Sequence, residues 1–166
     1  GSAYKEGFRL VLNKFDPDFI VQMDADHSHN PKEIPQMVHQ IHRCDYVVAS
    51  RHVQGSSIIG WGRYRRTLHS AAGFLASVCG GIKISDPTSG FRIFKKEVLN
   101  SVDFSKIKSD GFAFQIEFLC LLKRMGFKGS ELPTRFANRK EGKSKMNIAE
   151  SFKFIKVCLL LLARRI

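Results

Sequence analysis

The residues best equipped for chemistry sit in one stretch, FIVQMDADHSHNP (Phe19 to Pro31), where a short apolar run ends on Asp24 and Asp26. Two carboxylates held this close repel each other, so the arrangement is costly unless a cation or hydrogen bonds compensate. Hard oxygen donors of this type suit Mg²⁺ or Mn²⁺, which take one or two carboxylates together with the oxygens of a substrate's phosphates. A calcium loop of the EF-hand kind counted from Asp24 needs glycine at its sixth position and an acid at its twelfth. His29 and Pro35 stand there instead, and that reading fails. The plainer alternative is that both acids cap the loop that follows.

Charge says where an anionic partner would sit. The net charge of the 166 residues is +12, yet residues 1 to 50 carry more acids than bases, so the excess lies downstream. Between Arg51 and Ser85 there is no acidic residue, while Arg51, Arg63, Arg65, Arg66 and Lys83 fall there. Such a field favours phosphates, nucleic acid or an anionic membrane surface, or it is a solvated basic face. The four cysteines (Cys44, Cys79, Cys120 and Cys158) form no CxxC pair, which argues against zinc or a disulfide framework and fits a reducing compartment. His27, His29, His39, His42, His52 and His69 show no metal-ligand spacing and read as surface or core histidines.

The elements that must position the acids alternate between helix and strand. Tyr4 to Lys14 reads as a helix and Phe19 to Met23 as a short strand. Asn30 caps the next helix, with Pro31 at its first position and Glu33 three residues after the cap; Ile34, Met37, Val38 and Ile41 supply its apolar stripe. Tyr46 to Ala49 is a second strand, Thr67 to Val78 a helix closed by Gly80 and Gly81, and Ser89 to Phe94 a strand. Phe112 to Met125 is a helix, Glu131 to Phe136 a strand and Met146 to Ile166 a closing helix. This order predicts an α/β layer structure with a mostly parallel sheet flanked by helices. Ligands of such sheets lie outside the carboxyl ends of the strands, where Asp24 and Asp26 fall. A 43% hydrophobic content with 14 Phe is enough for a core, and no apolar run approaches the roughly 20 residues of a membrane-spanning helix.

Further motifs follow in order: DPTSGFRIF (Asp86 to Phe94), FAFQIEFL (Phe112 to Leu119) and RKEGKSKM (Arg139 to Met146). With DADHSHNP they resemble the dolichol-phosphate mannosyltransferases and, more broadly, the inverting polyprenyl-phosphate glycosyltransferases of the GT-A fold, a Rossmann-like architecture. The resemblance implies a metal, Mg²⁺ or Mn²⁺, held on the donor's pyrophosphate by Asp24 and Asp26, with Ser28 where some relatives have a glutamine ligand. It implies that Arg51 meets phosphate, and that Arg66 and Ser70, four apart on one helical face, receive the acceptor phosphate. Arg139, Ser144 and Lys145 match a loop that closes over both phosphates. Asp86 is the carboxylate near the reacting centre, orienting or assisting; Gln115 and Glu117 face the site from a helix start. Arg92 belongs to the same element, its duller use being a pair with a structural acid, and Gly90, Gly111 and Gly142 are ordinary turn residues in the plain reading.

The implied reaction moves a sugar, mannose from GDP-mannose by closeness of motif, to a polyprenyl or dolichyl phosphate with inversion. Its chemistry suits these residue types: the leaving pyrophosphate needs charge stabilisation and the acceptor phosphate needs positioning. The partners are then a nucleotide sugar, a lipid phosphate and a membrane surface at its cytoplasmic face, with no nucleic acid. Residues 1–146 would be the C-terminal portion of a GT-A catalytic domain, and 147–166 a closing helix. The segment Ser151 to Ile166 mixes apolar residues with Lys153, Lys156, Arg164 and Arg165, which suits a helix lying in the headgroup region or a buried terminal helix. The relatives' nucleotide-binding start has no match here, so the fold is expected to be incomplete at the N-terminus, to bind donor poorly alone, and to need a missing segment or partner chain. Competing readings are a glucose-transferring relative, a non-catalytic fragment or regulatory domain, a basic nucleic-acid-binding module, and a haloacid-dehalogenase-like phosphatase. The phosphatase would require a later acidic pair that is not seen.

Overall fold

Helix α1 (Ser2–Lys14) opens the chain and lays Phe8 into the core, and β1 (Phe19–Gln22) follows as an edge strand. The computed structural model describes residues 1–138 and 148–163. The cap at Asn30 is present, its side chain accepting from the Lys32 N–H, but it opens a short 3₁₀ turn, Pro31–Glu33, ahead of α2 (Ile34–Ile41). Pro35 thereby falls in the first turn of α2, where no backbone donor is needed. Glu33 does not reach back to its cap as expected. Its carboxylate accepts from Thr134 Oγ1 and the Arg135 N–H, tying the start of α2 to the far end of the sheet.

The wholly buried strand β2 (Tyr46–Ser50) is followed by the short β3 (Ser57–Ile59) and the long helix α3 (Arg63–Gly80), which Gly81 terminates in the left-handed conformation. Then come β4 (Arg92–Lys95), α4 (Lys96–Ser101), α5 (Gly111–Arg124), β5 (Gly129–Pro133), β6 (Arg135–Ala137) and α6 (Ile148–Ala163). The sheet order is β1-β4-β2-β5, with β3 and β6 forming a separate parallel pair.

The α/β class is the expected one, and β1, β2 and β5 share a direction. However, β4 lies between β1 and β2 and is antiparallel to both, so the sheet is mixed. The cause is local. The chain leaves the carboxyl end of β2 at Arg51 and, after α3, returns to that same end, where the Arg51 N–H donates to Asp86. A strand starting there can only run back down the sheet. Likewise the single strand expected over Glu131 to Phe136 breaks at Thr134, because Glu33 and the Ser50 carbonyl both hold that residue as the chain switches sheets.

Strand alternation sorts the core into two layers. Val47, Ala49 and Ile93 face Met37 and Ile41 of α2, while Tyr46, Val48 and Phe94 face α1 and α5. On the second side Phe8, Phe94, Phe104, Phe114 and Phe118 form a connected set of ring contacts. Each such ring contributes about 2–3 kcal/mol by burial. Cys158 and Leu161 anchor α6 to this cluster, and the four cysteines are buried and form no disulfide.

Candidate metal and phosphate site

Asp24 follows β1 directly, and three separate elements seat its carboxylate. From α1, the Tyr4 hydroxyl donates to Oδ1 at 2.6 Å; from the following loop, His29 Nε2 lies 3.6 Å from Oδ2. From the return loop before β4, Gly90 approaches so closely that a Cβ there would meet Oδ2 at 2.9 Å. Gly90 is therefore no ordinary turn residue, since the absence of its side chain makes room for Asp24. The phenol that faces the carboxylate is pushed up by burial and by Asp24 and stays protonated as a donor.

Asp26 shapes its own loop. Its Oδ1 accepts from the Ser28 N–H at 3.1 Å, with His27 between them at φ 60 in the left-handed region. Ser28 is buried and its Oγ has no hydrogen-bond partner among the described residues. Two half-buried carboxylates and an orphaned hydroxyl oxygen are all oxygen donors, the ligand type that suits Mg²⁺ or Mn²⁺. A cavity of about 260 Å³ lies beside them, lined by His27, Ser28, His29, Asn30, Ile59 and Arg135 among others.

Arg51 and Asp86 do not stand open to a ligand as expected; they hold each other. Arg51 Nε donates to Oδ2 at 2.7 Å and Nη2 to Oδ1 at 2.8 Å, and the Asp86 side chain is fully buried. Burial pushes the Asp86 pKa up, but the charge and hydrogen bonds of Arg51 outweigh it and hold the carboxyl well below the usual range. The guanidinium also sits 5.1 Å from the Phe136 ring centre and 5.8 Å from that of Trp61. Trp61 is itself overlaid by Arg65 at 4.3 Å and lies 5.1 Å from the His69 ring. Glu131 braces the same loop by accepting from Ser85 and from the Asp86 N–H.

His52, His69 and Asp86 place one donor atom each within 4.8 Å of one another, a cluster that sequence spacing did not reveal. Both oxygens of Asp86 already accept from Arg51, and a metal ion would there add its charge to a guanidinium. The three residues are joined instead by hydrogen bonds running through Thr88.

Arg92, fully buried in β4, has no acid as its bonded partner. Its Nη1 donates to the Gln115 carbonyl and its Nη2 to the Pro87 carbonyl, so it braces the Asp86 loop against α5. Burial lowers its pKa to about 10. Gln115 is thus engaged through its backbone, and its own side-chain oxygen is buried without a partner. Glu117 turns toward the loop before α5, accepting from the Lys108 and Ser109 N–H groups. Arg66 and Ser70 lie on the exposed side of α3, where Arg66 Nη2 donates to the Ile58 carbonyl and Ser70 Oγ is 3.5 Å from His52 Nδ1. Arg139, Ser144 and Lys145 lie outside the described residues.

With this geometry in place, similarity to known proteins decides the family. Residues 1–103 match Glycosyl transferase family 2. The chain belongs to that family. Within it, this family 2 chain is 33% identical to an undecaprenyl-phosphate mannosyltransferase of Micrococcus luteus, over 89% of its own length and 60% of that protein. It is 34% identical to a polyprenol monophosphomannose synthase of Mycolicibacterium smegmatis, covering 89% of this chain and 56% of the relative. It therefore spans well under two thirds of the curated relatives it matches. Among solved structures, the glucosyl-3-phosphoglycerate synthase of Mycobacterium tuberculosis with Mn²⁺ and UDP-glucose superposes with a TM-score of 0.60 at 21% identity, covering 96% of this chain and 53% of that one. That likeness supports the GT-A fold.

Proposed function

We propose that this chain carries the metal site and acceptor side of a glycosyltransferase that moves mannose from GDP-mannose to a polyprenyl or dolichyl phosphate with inversion. The observation that carries the reading is the pair Asp24 and Asp26 after β1, with Asp24 seated by three elements and Asp26 holding its own loop. Identity of 33% and 34% to two polyprenyl-phosphate mannose transferases supports the sugar and the acceptor class. Asp24, Asp26 and Ser28 would hold Mg²⁺ or Mn²⁺, which when bound supplies Lewis-acid stabilisation to the departing nucleoside diphosphate. Tyr4 and His29 keep the Asp24 carboxylate oriented, and Arg66 and Ser70 position an acceptor that is already anionic, so attack needs alignment more than a strong base.

A membrane surface at the cytoplasmic face is the proposed setting. No helix among the described residues is long and apolar enough to cross a membrane. Yet α3 exposes Tyr64, Leu68, Phe74, Leu75 and Val78, and the adjacent α6 exposes Ile155, Leu159, Leu160 and Leu162. Apolar side chains next to Arg63 and Arg65 suit contact with a lipid interface. Four cysteines that form no disulfide support a reducing compartment.

The test is transfer of labelled mannose from GDP-mannose to a short polyprenyl phosphate in detergent. Product is expected with Mn²⁺ and lost with EDTA or Asp26→Ala. Transfer that survives both overturns the reading.

A further inference from the structure

A single-file hydrogen-bonded chain runs from the buried Asp86 to the surface of α3. Thr88 Oγ1 bonds Asp86 Oδ1 at 3.1 Å and His69 Nε2 at 3.1 Å; His69 Nδ1 bonds His52 Nε2 at 3.2 Å; His52 Nδ1 faces Ser70 Oγ at 3.5 Å. The proton positions follow from the buried end. Asp86, ionised, only accepts, so the Thr88 hydroxyl donates to it. Thr88 Oγ1 already accepts from Arg51 Nη2 at 3.0 Å, and its remaining lone pair takes the His69 Nε2–H. His69 then presents a bare Nδ1 and accepts from His52 Nε2–H. Each polarity is forced by the one before it, and the outermost atom, His52 Nδ1, is left as a proton acceptor beside Ser70.

We propose that His52 Nδ1 is the group that takes the last proton from the monoanionic form of the acceptor's phosphate monoester, a weak-base task, and holds the resulting dianion beside Ser70. The inference rests on the functional reading above in placing the acceptor phosphate at Ser70. In the step, the phosphate O–H bond breaks and an Nδ1–H bond forms. The phosphate gains one negative charge and His52 one positive charge, with Nε2–H still bonded to His69. A phosphomonoester has a second pKa of about 6, within reach of an imidazole. His69 does not compete for the proton: burial first, then Arg51, lowers it to about 4. Its charged neighbours are Arg51, Asp86 and Arg65. His52, half-buried after β2, is the titratable member of the chain nearest solvent.

The test is ¹⁵N-histidine NMR of the chain, titrated with geranyl monophosphate as probe and geraniol as control. At neutral pH both His52 and His69 are expected as Nε2–H tautomers, and Thr88→Val scrambles that assignment at both rings. Geranyl monophosphate raises the His52 pKa by about one unit or more, as an opposite charge within a few ångströms does; geraniol does not, and Ser70→Ala weakens the shift. An Nδ1–H tautomer at His52, or a His52 titration indifferent to the phosphate, overturns the proposal. Asp26→Ala leaves the shift in place while abolishing mannose transfer, so transfer that survives Asp26→Ala counts against the enzymatic reading alone and leaves the His52 result standing.

Discussion

The Asp24 carboxylate is 39% exposed and is met by a phenol and an imidazole, whereas that of Asp86 is fully buried and gripped twice by a guanidinium. Both stand near the carboxyl edge of the sheet. The first is oriented by Tyr4 and His29 and stays within reach of solvent. The second is neutralised within the protein, so its field works inward, on Arg51, Thr88 and the two histidines. The two acids share the carboxyl edge of the sheet and differ in burial and in the side chains that hold them.

Breaking the closed pair gives the largest expected effect. Arg51→Met leaves Asp86 buried without its cation and destabilises the protein by about 3–5 kcal/mol, read by urea unfolding. Adding Asp86→Leu recovers most of that loss, since no orphaned charge then remains. The open site behaves oppositely: Asp26→Ala costs mannose transfer about 10²–10³-fold, as removal of a group stabilising leaving-group charge does, while the urea midpoint hardly moves. A result in which Asp26→Ala unfolds the protein would erase the distinction.

Smaller changes sharpen it. Gly90→Ala pushes a methyl against Asp24, and Tyr4→Phe removes its phenol donor. Each is expected to weaken Mn²⁺ binding by about 10-fold or more without abolishing it, the usual cost of losing a group that orients a ligand; electron paramagnetic resonance of free Mn²⁺ measures this. The smallest effect is in pH. His69 has a folded pKa lowered from 6.5 to about 4, so between those values the unfolded chain binds a proton that the folded chain refuses. Stability therefore falls as pH drops through that window, and His69→Gln flattens the slope in urea midpoints.

The pair of acids proposed as the metal site was easy to pick out in the sequence because its carboxylates are one residue apart and follow an apolar strand. Its support was not, since Tyr4, His29 and Gly90 reach Asp24 from three different segments and only folding brings them together. The contact within the closed pair was hidden for a related reason. Arg51 and Asp86 each looked like a group for phosphate or for the reacting centre, but they lie 35 positions apart and pattern alone could not say that each is the other's partner. The reversed β4 belongs to the same class, because nothing in RIFK encodes direction; the return of the chain to the end of β2 does. Helices fared better. Their apolar stripes and glycine stops are local, and α1, α3 and α5 differ from the expected spans mainly at their ends.

Trp61 is the chain's single tryptophan, and it lies among Arg51, Arg65, Phe136 and His69. Excited at the red edge of aromatic absorption, the protein emits from that corner alone. A protonated imidazole quenches a neighbouring indole and a displaced guanidinium alters its surroundings, so unlabelled protein carries its own optical gauge of the closed pair.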